Sequence, residues 1–408
     1  MRKRYKASSL LHAVFACLLI ALVCFGMLLL VSYNTLFQQQ TLEKTQLQLT
    51  NNAAIEWQLS KVNLDQTETT QQSIFDDHIK TTIQTINWGF YKVIHAKTYY
   101  NQDTIHKSVL VGSMKTDNTA LFVTDYDKIQ SVAGKVKIIG DIAIPKARWN
   151  EKNMQGEKTE IHINGVTSPS KNKLPAINKK QQQLPKVFDY EVTLENLEEN
   201  SVYVHSFDKE TALLKVHNSH SLRGKKLKGN IIIEKSGTFL INKHMELEDV
   251  IIKADDVKIE AGFVGNIQVI AKNTVFIEDD VQLLYPSSIF IDKPNKLGTI
   301  TIGENSVVMG SIILSGIPRK KASKSFIKIK KNAIIVGDLY CEGNLEITGK
   351  VYGSVYTNYL TTTIEKNTYK NMLMNVEINR SKLPKQFAGI PLMKTGTKKS
   401  TYEVIKEL

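Results

Sequence analysis

VIIKADDVKIEAGFVGNIQVIAKNTVFIEDDV, residues 250–281, decides how this chain folds. Apolar runs of three or four residues (Val250-Ile251-Ile252, Val257-Lys258-Ile259, Ile267-Gln268-Val269-Ile270, Val275-Phe276-Ile277) alternate with Asp, Gly and Asn. Such runs are shorter than the usual strand of a β-sandwich. They suit a parallel β-helix, in which each circuit stacks its inward Ile or Val on the circuit below and polar residues turn the corners. The same grammar extends from Gly229 through Ile300-Thr301-Ile302, Ile312-Ile313-Leu314, Ile327-Lys328-Ile329 and Leu345-Glu346-Ile347 to Val351-Tyr352-Gly353. Asp255-Asp256-Val257 recurs 24 residues later as Asp279-Asp280-Val281, and then as Asn305-Ser306-Val307 and Asn332-Ala333-Ile334, with steps of 26 and 27. The longer steps predict inserted loops, the clearest at residues 316–325. A solenoid is therefore expected over 229–360, with 188–228 as a connecting β segment. Residues 361–408 are expected to form a capping segment and a basic tail, because a bare solenoid end exposes unpaired strand edges.

At the other end of the chain, Leu10 to Val31 is an apolar run whose single strongly polar side chain is His12. It is long enough to span a hydrocarbon layer of about 30 Å. Arg2, Lys3, Arg4 and Lys6 precede it, so the positive-inside rule predicts a cytoplasmic leader (1–9), a transmembrane helix (10–32) and an extracytoplasmic remainder. That places the chain as a single-pass protein of the inner membrane, its bulk periplasmic in a Gram-negative cell. No small-x-small cleavage site closes the run, which ends in Leu-Leu-Leu-Val-Ser-Tyr. No Gly or Pro interrupts residues 27–88, so the helix is expected to continue as a stalk (33–69). Leu42 with Leu49 and Leu47 with Ala54 are spaced a heptad apart, and the polar face is rich in Gln, Thr and Asn.

Between the two lie short runs such as Val109-Leu110-Val111 and Leu121-Phe122-Val123, which predict a small α+β domain over 70–187. Its Pro-, Lys- and Gln-rich loop, 166–186, reads as a surface segment. The predicted fold class is thus mainly β, with a long N-terminal transmembrane helix, a small α+β middle domain and a C-terminal parallel β-helix.

The 53 basic side chains exceed the 40 acidic ones, a balance of +13 that favours anionic partners. Two basic clusters carry this excess: Arg223, Lys225, Lys226 and Lys228, and then Arg319, Lys320, Lys321, Lys324, Lys328, Lys330 and Lys331. They suit an anionic glycan or a lipid headgroup; nucleic acid is disfavoured because no aromatic side chains interleave with the lysines. Cys17, Cys24 and Cys341 provide neither a disulfide framework nor a zinc set. His205, His217 and His220, with Asp208 and Glu210 nearby, read as an exposed turn, since a metal needs three or four convergent ligands. The pairs Asp255-Asp256 and Asp279-Asp280 read as corners, with a cation site or a catalytic carboxylate pair as lesser alternatives. No phosphate loop, nucleophile elbow or zinc-helix motif occurs, so no catalytic residue, metal or cofactor is assigned.

The basic leader, apolar helix and amphipathic extension of residues 1–60 resemble type IV pilins and the minor pseudopilins of type II secretion systems. The leader-like junction is Lys6-Ala7-Ser8-Ser9-Leu10-Leu11, where the family normally places Gly before the cut and often Glu five residues after it; this chain has Ala7 and His12. Residues 327–360, with their Val-x-Gly corners, resemble the bactofilins, which implies a right-handed β-helix. The main reading is a non-enzymatic, membrane-anchored envelope scaffold working through protein partners or self-assembly. A minor pilin-like subunit of a secretion, adhesion or DNA-uptake apparatus and a carbohydrate-active β-helix enzyme remain as alternatives.

Overall fold

The computed structural model describes residues 8–61, 64, 70–72, 78–114, 117–154, 156, 158–177, 190–192, 202–218, 222–322, 324–390 and 401–408. Strand makes up 56% of the chain beside one long apolar helix, so the fold is mainly β. Contacts divide the chain into two units: residues 1–58, 69–83 and 96–107 form the first, and residues 59–68, 84–95 and 108–408 the second.

The first unit is dominated by helix α1, Ser8–Ser60, which runs unbroken as the lack of Gly and Pro after Met27 requires. Its apolar N-terminal stretch is fully exposed, and by length and composition it can cross a membrane. Further along, Leu47, Thr50, Asn51, Ala54, Ile55 and Gln58 are buried. Their i, i+3, i+4, i+7 spacing makes them one helical stripe. Leu42 and Leu49 stay exposed, so only the Leu47/Ala54 pair of the expected heptads is covered. The Asn51 amide donates to Ala96 O at 2.8 Å and to Thr98 Oγ1 at 3.0 Å, and Thr81 and Thr98 share a hydroxyl hydrogen bond of 3.0 Å. The helix therefore runs bare only as far as about residue 46, short of the stalk expected to 69.

The second unit holds a 22-stranded sheet whose ladders are overwhelmingly parallel. One ladder passes in register through Ile270, Phe290, Ile313, Tyr340 and Tyr356. A second carries Phe239, Val257, Val275, Ile300, Ile327 and Leu345, and a third Leu283, Val308, Ile335, Val351 and Ile378. Side chains alternate between faces along a strand, so the residues of the second and third ladders point together into one continuous apolar core and are fully buried. Neighbouring tiers are joined by hydrogen bonds spanning 17, 18 or 19 residues where no loop intervenes, and 25 or 27 where one does.

This register corrects the phase of the sequence repeat. Asp280, Asn305 and Asn332 are true equivalents: each sits at positive φ (60°, 57° and 59°), and the Asn305 and Asn332 amides reach back to Asp280 and Asn305 at 3.3 and 3.1 Å. Asp256 is no member of that set, because Val257 pairs with Val275 in a different ladder. Every tier repeats similar Ile/Val triplets on several faces, so sequence matching alone slips from one face to another.

The expected separate α+β domain over 70–187 is also corrected. Lys80–Trp88, Tyr91–Tyr100 and Asp103–Met114 are strands, not a helix. Residues 119–169 belong to the parallel sheet of the C-terminal half: Leu121 pairs with Val355, Val132 with Leu373 and Ile138 with Ile378. Ile142 stacks on Leu121 and Thr167 on Ile142 in turn. The parallel pairing continues past the expected boundary at 360 to Met372–Asn379, and Thr401–Glu407 returns antiparallel to residues 109–114. The basic tail residues Lys394, Lys398 and Lys399 lie outside the described residues.

Candidate functional site

Where residues 119–169 meet the C-terminal tiers, side chains from widely separated parts of the sequence surround a groove of about 1080 Å³. Lys328, Lys330 and Lys331 line it beside Lys135, Lys137 and Lys350, with Glu160, Glu304, Glu346, Glu365, Glu377 and His162 between them. Strand geometry explains the order. Ile327, Ile329, Val351 and Ile138 point into the core, which turns Lys328, Lys350 and Lys137 outward.

Half of these lysines are already engaged. Lys328 lies 3.2 Å from Glu346, Lys330 3.5 Å from Asp279, and Lys137 3.9 Å from Glu377, which Lys382 also reaches at 3.0 Å. Burial pushes the Glu377 carboxyl up, yet hydrogen bonds from Lys382 and Asn379 outweigh it and hold the group below the usual carboxylate range. Lys135, Lys331 and Lys350 are exposed and make no ion pair among the described residues. These three ammonium groups stand beside Glu160, Glu304 and Glu365, which are likewise exposed and without an ion pair among the described residues.

The first basic cluster lies elsewhere and none of it lines this groove. Lys225 is buried, Arg223 is exposed, Lys226 pairs with Glu246 at 2.7 Å and Lys228 with Glu248 at 2.5 Å. The Lys228 hydrogen bond holds Glu248 low and Lys228 correspondingly high. Lys321 donates to Asn295 O at 2.7 Å, Lys324 is exposed, and Arg319 and Lys320 lie on the short helix α2, Arg319–Ala322. The run that looks continuous in sequence is therefore divided between a loop and the groove. Lys135, Lys137, Lys350 and His162 escaped the sequence reading because each stands singly among apolar neighbours; only the tertiary register groups them.

The other sequence candidates have local explanations. His205 is buried with Nε2 2.7 Å from Glu210 O, and burial, followed by the Lys209 charge, lowers its pKa. His217 lends its backbone carbonyl to Lys235, and His220 lies outside the described residues. Asp255 accepts from Gly237 N and pairs with Lys272, and Asp279 accepts from Glu304 N. Cys341 is buried, and desolvation pushes its thiol up to about 12.

No family model matches the chain, and no curated protein does. Among solved structures, the crystal structure of the competence-associated pilin ComZ from Thermus thermophilus is similar over 85% of this chain and 86% of its own, at 9% identity and a TM-score of 0.19. A score that low does not establish a shared fold.

Proposed function

We propose that the protein is a non-enzymatic, membrane-anchored scaffold of the cell envelope. In this reading residues 10–32 of α1 span the bilayer with the N-terminus in the cytoplasm. The parallel tiers are the coils of a β-helix held on the extracytoplasmic side, with residues 119–169 as its terminal coils. The groove lysines Lys135, Lys331 and Lys350 engage an anionic glycan or headgroup, and protein partners or further copies occupy other faces. The observation that carries the proposal is the wholly exposed apolar stretch of α1. Fifteen large apolar side chains between Leu10 and Val31 are exposed, and moving such surface out of water is favourable by roughly 25 cal/mol per Å², so that stretch needs an apolar surrounding.

Intact-mass and N-terminal analysis of the membrane-extracted protein, together with protease accessibility in whole cells and spheroplasts, tests this. An uncut α1, resistance to alkaline extraction and digestion of the β-rich region only from outside are expected. A mature N-terminus beyond residue 31, or release by alkaline washing, overturns the anchor. A cut between Ala7 and Ser8 moves the reading to the pilin-like alternative.

A further inference from the structure

A second groove, of about 670 Å³, lies on the outer face of the tiers running through residues 238–241, 256–259, 274–277 and 299–302. Because Val257, Ile259, Val275, Ile277, Ile300 and Ile302 point inward and are buried, their neighbours are turned outward in two columns. In-register pairing sets Thr238, Asp256, Thr274 and Thr299 in the first column, and Lys258, Phe276 and Thr301 in the second. Successive rungs lie about 4.8 Å apart. Phe276 holds 37% of its surface open to solvent in the middle of this polar array, and Leu297 stands beside it at 38%.

The wall is fastened. Lys296 N donates to the buried Asn273 Oδ1 at 3.1 Å, Gly298 N to Ser325 Oγ at 3.2 Å, and Lys321 Nζ to Asn295 O at 2.7 Å. Of the charged groups, Lys258 is neutralised by Glu278 at 2.7 Å, while Asp256 makes no ion pair or hydrogen bond among the described residues. Asp256 and Lys296 balance, so the groove has little net charge. It combines an open aromatic face with hydroxyl, amide and carboxylate groups, which suits a ligand that is apolar on one face and rich in hydroxyls at its rim.

We propose that this groove binds a pyranose unit of an extended, uncharged polysaccharide, with the sugar ring on Phe276 and its hydroxyls on Asp256, Thr274 and Thr299. The strand would lie along the stack and contact successive rungs. This site is separate from the lysine groove and does not depend on the anchor reading.

The test uses the full-length protein in detergent, screened against arrays of neutral, N-acetylated and uronate oligosaccharides, followed by titration of F276W by its emission. Neutral or N-acetylated oligosaccharides are expected to bind with Kd near or below about 1 mM. F276A should weaken binding about fivefold and D256A by a similar factor, while F276W retains it and shifts its emission on binding. K331A/K350A should leave this affinity unchanged. Circular dichroism checks that each variant is folded. Absence of binding across the array with no emission change in F276W overturns the proposal. Binding of uronates alone, abolished by K331A/K350A, overturns it too and assigns the glycan to the lysine groove.

Discussion

Asp280, Asn305 and Asn332 adopt a left-handed backbone that costs most residues about 1–2 kcal/mol, and Asn and Asp tolerate it through local hydrogen bonding. N305G should therefore stay near wild-type stability, whereas N305V should lose roughly 2 kcal/mol from strain and the lost amide bonds, read by urea unfolding. Gly310 is a sharper case, because φ is +151° and an added Cβ would lie 1.6 Å from Ser287 O. Close stacking of backbone on backbone leaves no room to relax, so G310A should destabilise more than N305V. Cys341 is expected to resist thiol reagents at pH 8 until the protein unfolds, since the thiolate is the nucleophile and burial suppresses it. At this scale the sequence was partly legible. Asn and Asp before Val or Ile did mark corners, but Asp256 looked the same and is an outward strand residue, because a carboxylate beside Val carries no signature of backbone φ.

At the scale of elements, the apolar helix could be read directly, since it depends on local spacing, whereas the strand lengths could not: the runs of three or four apolar residues belong to strands of 16, 14 and 14 residues, Lys226–Ile241, Glu246–Ile259 and Val264–Ile277. Which helix stripe is covered could not: Leu42/Leu49 and Leu47/Ala54 share a heptad period, and only tertiary contact separates them. N51A tests that contact. The buried Asn51 amide satisfies Ala96 O and Thr98, and its loss should cost about 1–3 kcal/mol in thermal or urea unfolding. The ladders between tiers add a pH dependence. Lys258 and the Ala261 N–H hold Glu278 below its ordinary pKa, and Lys228 does the same for Glu248. A carboxylate depressed in the folded state stabilises it fully above the unfolded pKa of about 4.3 and loses that contribution as pH falls through the lower folded value. Asp249 runs the other way: burial raises its pKa above the ordinary value despite Lys406, so its ionised form opposes folding at neutral pH and acid relieves it. Thermal scans from pH 7 down to pH 3 should show a falling midpoint with a shallower acid slope in K258M, which removes the partner of Glu278. An unchanged slope would mean that this exposed pair contributes nothing measurable, the common outcome for surface ion pairs.

For the whole molecule, the decisive feature is one that local reading had no means to find: residues 119–169 complete a sheet whose other strands come from residues 190–379. Their short alternating runs looked like a small independent domain because the pairing partners of Leu121 and Val132 are Val355 and Leu373, more than two hundred residues away. Loop-closure entropy rises only slowly with length, so this long return weakens stability little, but it delays completion of the sheet until the C-terminal half has been made. Two consequences distinguish this arrangement from separate domains. Truncation after Lys331 should leave residues 119–169 without Val355, Leu373 and Ile378 to stack on, exposing apolar strand edges and giving aggregated or protease-sensitive protein. A protease site substituted at Gln181-Gln182-Gln183 supplies the converse. After cleavage the two fragments should co-elute in detergent on size exclusion and separate only under denaturant, because the parallel ladders at 121–123/355–357 and 131–139/372–379 hold them without a peptide bond. Fragments that part on cleavage in native buffer would show that residues 119–169 fold alone, and the shared sheet would then be wrong.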